Sequence, residues 1–187
     1  MIKKWGLGFY IGIAVLGLSL FLASQYGIPL SGKNTKSFSF RLKNQKNEWV
    51  DSRSMAGSVI VLHFWAAWCP PCLPELGEFL DAAKKLPKDQ NNKNIYWVLI
   101  SQDESWDKAN KVLKEHELPA HVVLLIDPDT KISQKFGTYQ FPETYVLNSS
   151  HELSAKWIGP QSWSEKWGEQ ALLGIEKLSR LGQLDES

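Results

Sequence analysis

Cysteine is nearly absent: Cys69 and Cys72 are the only two in a chain of 187 residues. The four histidines (His63, His116, His121 and His151) are scattered without ligand spacing, so a zinc site lacks its second pair of ligands. A surplus of charge is missing too. The net charge is +1, and without the four lysines of the first 36 residues (Lys3, Lys4, Lys33, Lys36) it is −3 for residues 37–187. That balance does not suit a reader of nucleic-acid polyanions. Repeats and low-complexity stretches are absent. A content of 43% hydrophobic and 22% charged residues excludes disorder and collagen-like composition. At about 150 residues per domain the length leaves one domain and a further segment. A domain of that size buries roughly two thirds of its unfolded surface, so it needs no staple. Nine tryptophans are many, and they leave two readings open: aromatic surface near a binding site, or a Trp-rich core.

The further segment is marked by another absence. From Trp5 to Gly32 there is no Asp, Glu, Lys or Arg, and the first 36 residues contain no acid. Lys3 and Lys4 followed by the apolar run from Trp5 to Ala23 form an export pattern. Nineteen helical residues reach about 28 Å, close to the ~30 Å hydrocarbon core of a bilayer. A cut after Ala23 puts Phe21 at −3 and one after Ser24 puts Leu22 there, where small residues are wanted. Residues 1–26 are therefore expected to be an uncleaved transmembrane signal-anchor and residues 27–36 a linker. By the positive-inside rule Lys3 and Lys4 stay in the cytoplasm and residues 37–187 lie on the extracytoplasmic, periplasmic side.

In that domain, Ser37 to Leu42 alternates with period two and, with Glu48–Asp51, predicts a hairpin. Ser58–Trp65, Asn94–Ser101 and His121–Ile126 read as strands, the first as the central one because it is apolar and β-branched throughout. Apolar spacing turns helical from Pro70 to Leu86; Pro70 and Pro71 suit a first turn, whose N–H groups have no partner anyway. Ser105–His116 and Ile132–Phe136 are predicted helices, the latter ending at Gly137. Strands follow at Thr144–Leu147 and Glu152–Ile158. Ser162, with Glu165 three residues on, has the capping-box pattern and predicts a last helix from Ser162 to about Leu181. Alternating strands and helices closed by two successive strands describe an α/β fold, a three-layer α/β/α sandwich with a mixed central sheet.

The chemistry lies in Trp68-Cys69-Pro70-Pro71-Cys72. Two intervening residues put both sulfurs on one helical turn, close enough to bond to each other. Cys69 sits where helix N–H dipoles converge, which lowers a thiol's pKa and favours the thiolate. Both features point to reversible disulfide chemistry. A structural disulfide would normally close a longer loop, because a two-residue loop restrains the unfolded chain little. A peroxide-reducing cysteine would not need a neighbour two residues on.

Phe64-Trp-Ala-Ala-Trp-Cys-Pro-Pro-Cys72 resembles the active-site stretch of the thioredoxin superfamily, and Gly137-Thr-Tyr-Gln-Phe-Pro-Glu-Thr144 resembles its cis-proline loop. With Asp127-Pro128-Asp129 and Pro142-Glu143-Thr144, residues 37 to about 160 resemble the membrane-anchored thioredoxin-like proteins of cytochrome c maturation (CcmG or DsbE, with ResA and TlpA). The resemblance implies a thioredoxin-like sandwich and a thiol:disulfide oxidoreductase with no separate cofactor or metal, the redox group being the Cys69/Cys72 pair. It implies Cys69 as the exposed attacking cysteine, Cys72 as the buried resolving one, and Glu75 as the acid that takes and returns the Cys72 proton. An exposed helix carboxylate is the alternative for Glu75. Pro142 is expected to be cis and to lie against the cysteine pair, with the Phe141 backbone pairing with a substrate strand. Trp68, Pro70, Pro71, Phe141, Glu143 and Thr144 would line the partner groove; Glu143 reads equally as a solvated loop charge and Trp68 equally as packing.

Two positions depart from the pattern. His63 stands where cytosolic thioredoxin has a buried Asp, so proton handling must differ, and a buried core histidine is the expected role. Gln140 and Phe141 stand where relatives often have Gly and Ala, which makes the groove narrower or more apolar. The resemblance favours a reductant of the oxidised CxxCH motif of apocytochrome c, recharged by a transmembrane thiol carrier of the CcdA/DsbD type. An extracytoplasmic oxidant or isomerase would use every one of the same residues. A copper carrier on this fold usually spaces its cysteines by three, which Cys69 and Cys72 do not.

Overall fold

The computed structural model describes residues 37–86 and 95–181. The expected signal-anchor (1–26) and linker (27–36) lie outside the described residues, among which no helix is long and apolar enough to cross a membrane. Seven strands form one sheet: β1 (Arg41–Lys43), β2 (Trp49–Asp51), β3 (Val59–Trp65), β4 (Ile95–Ser101), β5 (Val122–Ile126), β6 (Glu143–Leu147) and β7 (Leu153–Ile158). Their order is β2-β1-β5-β4-β3-β6-β7. β3 runs parallel to β4, and β4 to β5, while β3–β6, β6–β7, β1–β5 and β1–β2 pair antiparallel. This is the mixed sheet expected from the element order, with the apolar, fully buried β3 near its centre.

Period two along β3 divides the core. Val59, Val61 and Trp65 face α1 (Cys72–Lys85), α2 (Trp106–Leu113) and α4 (Lys166–Leu181), which contribute Leu76, Phe79, Leu80, Ala109, Leu113, Leu172 and Ile175. Ile60, Leu62 and Phe64 face the other way, onto Phe38, Phe40 and Met55 of the N-terminal segment and Phe136 of α3 (Lys131–Phe136). Phe79 packs edge-on against both Trp97 and Trp163. Truncating such a buried ring to Ala costs about 3–5 kcal/mol. Both readings of the tryptophans therefore hold for different members: Trp65, Trp97 and Trp163 are core, whereas Trp68 is exposed.

Several boundaries differ from expectation; the helix expected over Ser105–His116, for one, spans Trp106–Leu113. α1 begins at Cys72, so Cys69 lies in the turn before the helix, where its carbonyl accepts from the Cys72 N–H. Ser37 bridges to Glu152 and lies outside β1. The last helix starts at Lys166, because the Ser162 hydroxyl donates to Glu78 on α1 and does not cap. Tertiary packing there overrides a local capping signal. α3 ends as expected at Gly137, whose φ of 76° a residue with a side chain adopts only with strain.

Candidate active site

β3 ends at Trp65, and its carbonyl accepts from the Gln102 N–H at the end of β4. The chain then turns through Ala66–Pro71 into α1. The turn is held from behind by Asp103, a fully buried side chain whose Oδ2 accepts from the Ala67 N–H (3.0 Å) and the Ser101 hydroxyl (2.8 Å). Cys69 and Cys72 form a disulfide with Cα atoms 5.4 Å apart. Cys72 is sealed, and Cys69 retains 4% of its surface. Where an exposed Cys69 was expected, both cysteines are buried in the disulfide form, Cys69 less completely than Cys72.

Around the disulfide lies an apolar rim. Trp68 is 59% exposed, Pro70, Pro71 and Leu73 are exposed, and the Phe141 ring meets Trp68 edge-on at 5.8 Å. That contact joins the cysteine turn to the loop in which the Phe141–Pro142 peptide bond is cis. Pro142 is buried, and its carbonyl accepts from the Gly159 N–H.

Beneath Cys72, one turn along α1, Glu75 is buried at 3% exposure. The alternative of an exposed helix carboxylate does not hold. Its Oε1 accepts from the Trp163 indole N–H at 2.9 Å and lies 3.9 Å from His63 Nδ1. Burial pushes its pKa up to about 7, with the nearby Glu78 charge acting in the same direction and the Trp163 and Gln161 hydrogen bonds opposing. Trp163 is the group that sequence reasoning missed. It lies 88 residues from Glu75, and it reaches the site because Gly168 lets the chain before α4 fold in closely: a Cβ there would sit 2.1 Å from the Trp163 carbonyl oxygen. Asp103 was also missed, though a signal existed. It follows a buried strand parallel to β3, and such strand ends meet beside the cysteine turn.

Two expected groove residues point inward. Thr144 is buried on the α1 face, its hydroxyl 2.8 Å from His63 Nδ1. Glu143, the next residue in period two, takes the opposite face and is fully buried. Its Oε2 accepts from the Tyr145 hydroxyl (2.7 Å) and pairs with Lys156 Nζ (3.1 Å). Glu143 is therefore neither a solvated charge nor a surface available to a partner. Alternation along β6 buries both side chains, and Glu143 fixes the base of the cis-proline loop.

A disulfide between the last turn before a helix and that helix's first residue, with a carboxyl buried one turn on, has the make-up of a two-electron couple. The Redoxin family model matches residues 30–172, more than half of the chain. The chain belongs to the Redoxin family. It is a thiol:disulfide oxidoreductase of the CcmG/DsbE type. Among its relatives, the thiol:disulfide interchange protein DsbE of Allochromatium vinosum is 26% identical over 169 residues, covering 82% of this chain and 89% of that protein. The sporulation thiol-disulfide oxidoreductase A of Bacillus subtilis is 27% identical over 116 residues, covering 61% and 68% respectively. A solved structure described as a putative DsbE from Chlorobium tepidum superposes with a TM-score of 0.64 at 22% identity, covering 78% of this chain and 98% of that one; it shows the thioredoxin-like fold of this Redoxin domain.

Proposed function

We propose that this oxidoreductase is a membrane-anchored reductant of extracytoplasmic protein disulfides, with the CxxCH disulfide of apocytochrome c as its substrate. The observation that carries the reading is the Cys69–Cys72 pair set inside an apolar rim with Glu75 buried beneath it. The charge-free run from Trp5 to Gly32 supports the anchor, and Lys3 and Lys4 ahead of it support the orientation.

In the reduced protein Cys69, in the turn that leads into the N-terminus of α1, is the thiolate. It attacks one sulfur of the partner's disulfide; that S–S bond breaks, the other partner sulfur leaves and takes a proton, and a mixed disulfide joins Cys69 to the partner. Cys72 then gives its proton to Glu75 and attacks Cys69 Sγ. The mixed disulfide breaks, the second partner thiol leaves, and Cys69–Cys72 is left oxidised by the two electrons the partner has gained. A carboxyl with a pKa of about 7 is matched to that proton transfer, being ionised in a large fraction of molecules at neutral pH. Trp68, Phe141, Pro70 and Pro71 offer the partner segment its apolar contacts, while Glu143 and Thr144 act from below. A transmembrane thiol carrier of the CcdA/DsbD type restores the dithiol.

Cys72→Ala removes the resolving thiol and stalls the reaction at the mixed disulfide. Incubated with oxidised apocytochrome c, this variant is expected to accumulate a Cys69-linked adduct that Cys69→Ala does not form. An adduct that forms with unrelated disulfide proteins and not with apocytochrome overturns the assigned substrate.

A further inference from the structure

His63 is fixed on three sides. β3 places it in register with Thr144 of β6, Nδ1 lies 2.8 Å from the Thr144 hydroxyl, and the ring stacks on Phe79 at 4.6 Å between centroids. The same Nδ1 is 3.9 Å from Glu75 Oε1. That is too long for a hydrogen bond, but charge and dipole interact strongly over 4 Å where water is excluded. His63 Nε2 and Glu75 Oε2 are both buried, and neither has a hydrogen-bond partner among the described residues. The other groups facing Glu75 are the Trp163 indole N–H, the Gln161 backbone N–H, Glu78 one turn further along α1, and Cys72 one turn back.

Packing alone does not ask for an imidazole here. The flanking residues on the same face of β3 are Val61 and Trp65, and a buried polar ring with an unpartnered nitrogen carries a desolvation cost that a hydrocarbon lacks. We propose that His63 is a positioning residue that sets how firmly Glu75 holds the proton of Cys72: its Nδ1–H donates to Thr144 Oγ1, and the same N–H dipole acts through space on Glu75 Oε1, 3.9 Å away. The proposal rests on the reading of Glu75 given above. Burial holds the His63 pKa down to about 3, so at neutral pH the ring contributes a dipole and no charge. That dipole stabilises the carboxylate, and Thr144 competes for it.

The competition gives two substitutions effects of opposite sign. In His63→Phe the stack on Phe79 survives and the N–H is lost, so the carboxylate is less stable and the midpoint of Glu75 rises. In Thr144→Val the N–H has Glu75 alone to face, so the midpoint falls. A ¹³C-carboxyl NMR titration of the oxidised protein reads this directly, because the disulfide does not titrate; Glu75→Gln assigns the resonance. The expected wild-type midpoint is about 7. His63→Phe is expected to raise it by about one pH unit, about a tenfold change in the ratio of ionised to protonated carboxyl, and Thr144→Val to lower it by roughly half as much. The rate at which Cys72 expels a chromogenic thiol from a Cys69 mixed disulfide should follow the same three midpoints.

A merely structural role lowers stability and leaves the midpoints in place, and that result overturns the proposal. So does a fall in both variants, which would mean that each lets water into the pocket. If His63→Phe does not fold, an unmoved midpoint in Thr144→Val overturns the proposal by itself. A wild-type midpoint near 4.5 is a separate failure: it refutes the reading of Glu75, and the role of His63 goes with it.

Discussion

Glu75 and Glu143 are both buried, but on opposite faces of one sheet and with opposite company. Glu143 has an ammonium 3.1 Å away and a tyrosine hydroxyl at 2.7 Å. Glu75 has no cation as a partner among the described residues, only an indole N–H, a backbone N–H and a neutral imidazole. A buried charge matched by a counter-charge holds structure in place. One stabilised only by neutral dipoles ionises reluctantly, and it is therefore suited to taking and returning a proton near neutrality. The same residue type serves as a strut under the cis-proline loop and, as proposed above, as the proton acceptor under Cys72, and neighbours alone separate the two.

Removing the counter-charge of Glu143 has the largest expected effect. Lys156→Met strands the Glu143 carboxylate in the interior and should cost about 3–5 kcal/mol in urea unfolding at pH 7. A loss below about 1 kcal/mol would mean the pair is not structural. The second prediction has the other sign. Burial raises Glu75 from 4.5 to about 7, so the folded protein binds this proton more tightly than the unfolded chain. Below pH 4.5 both states are protonated and nothing is lost; the destabilisation builds between 4.5 and 7 and stays constant above, at about 3 kcal/mol. Glu75→Gln cannot ionise. It should be more stable than wild type by about that amount at pH 8 and equal to it at pH 4, while its disulfide exchange loses the inflection near neutral pH.

Asp103→Ala leaves the Ala67 N–H and the Ser101 hydroxyl without their acceptor and should cost about 1–3 kcal/mol. It should also speed alkylation of reduced Cys69, because the turn carrying it loosens. The smallest effect belongs to the surface. Lys108→Ala breaks an exposed i,i+4 pair with Glu104 and should change stability by less than about 0.5 kcal/mol. A value near that of Lys156→Met would erase the distinction between buried and exposed pairs.

Features encoded within a few residues were legible in the sequence. The Cys-Pro-Pro-Cys turn, the apolar runs of β3 and β4, the Gly137 stop and the cis-proline loop all rest on neighbouring side chains or backbone constraints. The surroundings of Glu75 were not, since they are assembled over distance: Trp163 arrives from 88 residues away, and His63 meets Thr144 across 81. The inward turn of Glu143 and Thr144 was in principle readable. Period two places consecutive strand residues on opposite faces, and a strand paired on both sides buries both. Ser162 misled because a capping pattern is local, whereas its hydroxyl is taken by Glu78 on another helix.

Whether Cys69 and Cys72 form a reducing couple is read from a redox titration of the full chain against glutathione or dithiothreitol buffers. A reducing pair gives a single two-electron transition with a midpoint below about −200 mV. A midpoint well above that value would make the protein an oxidant, and a pair that fails to cycle at all would contradict electron transfer through Cys69 and Cys72.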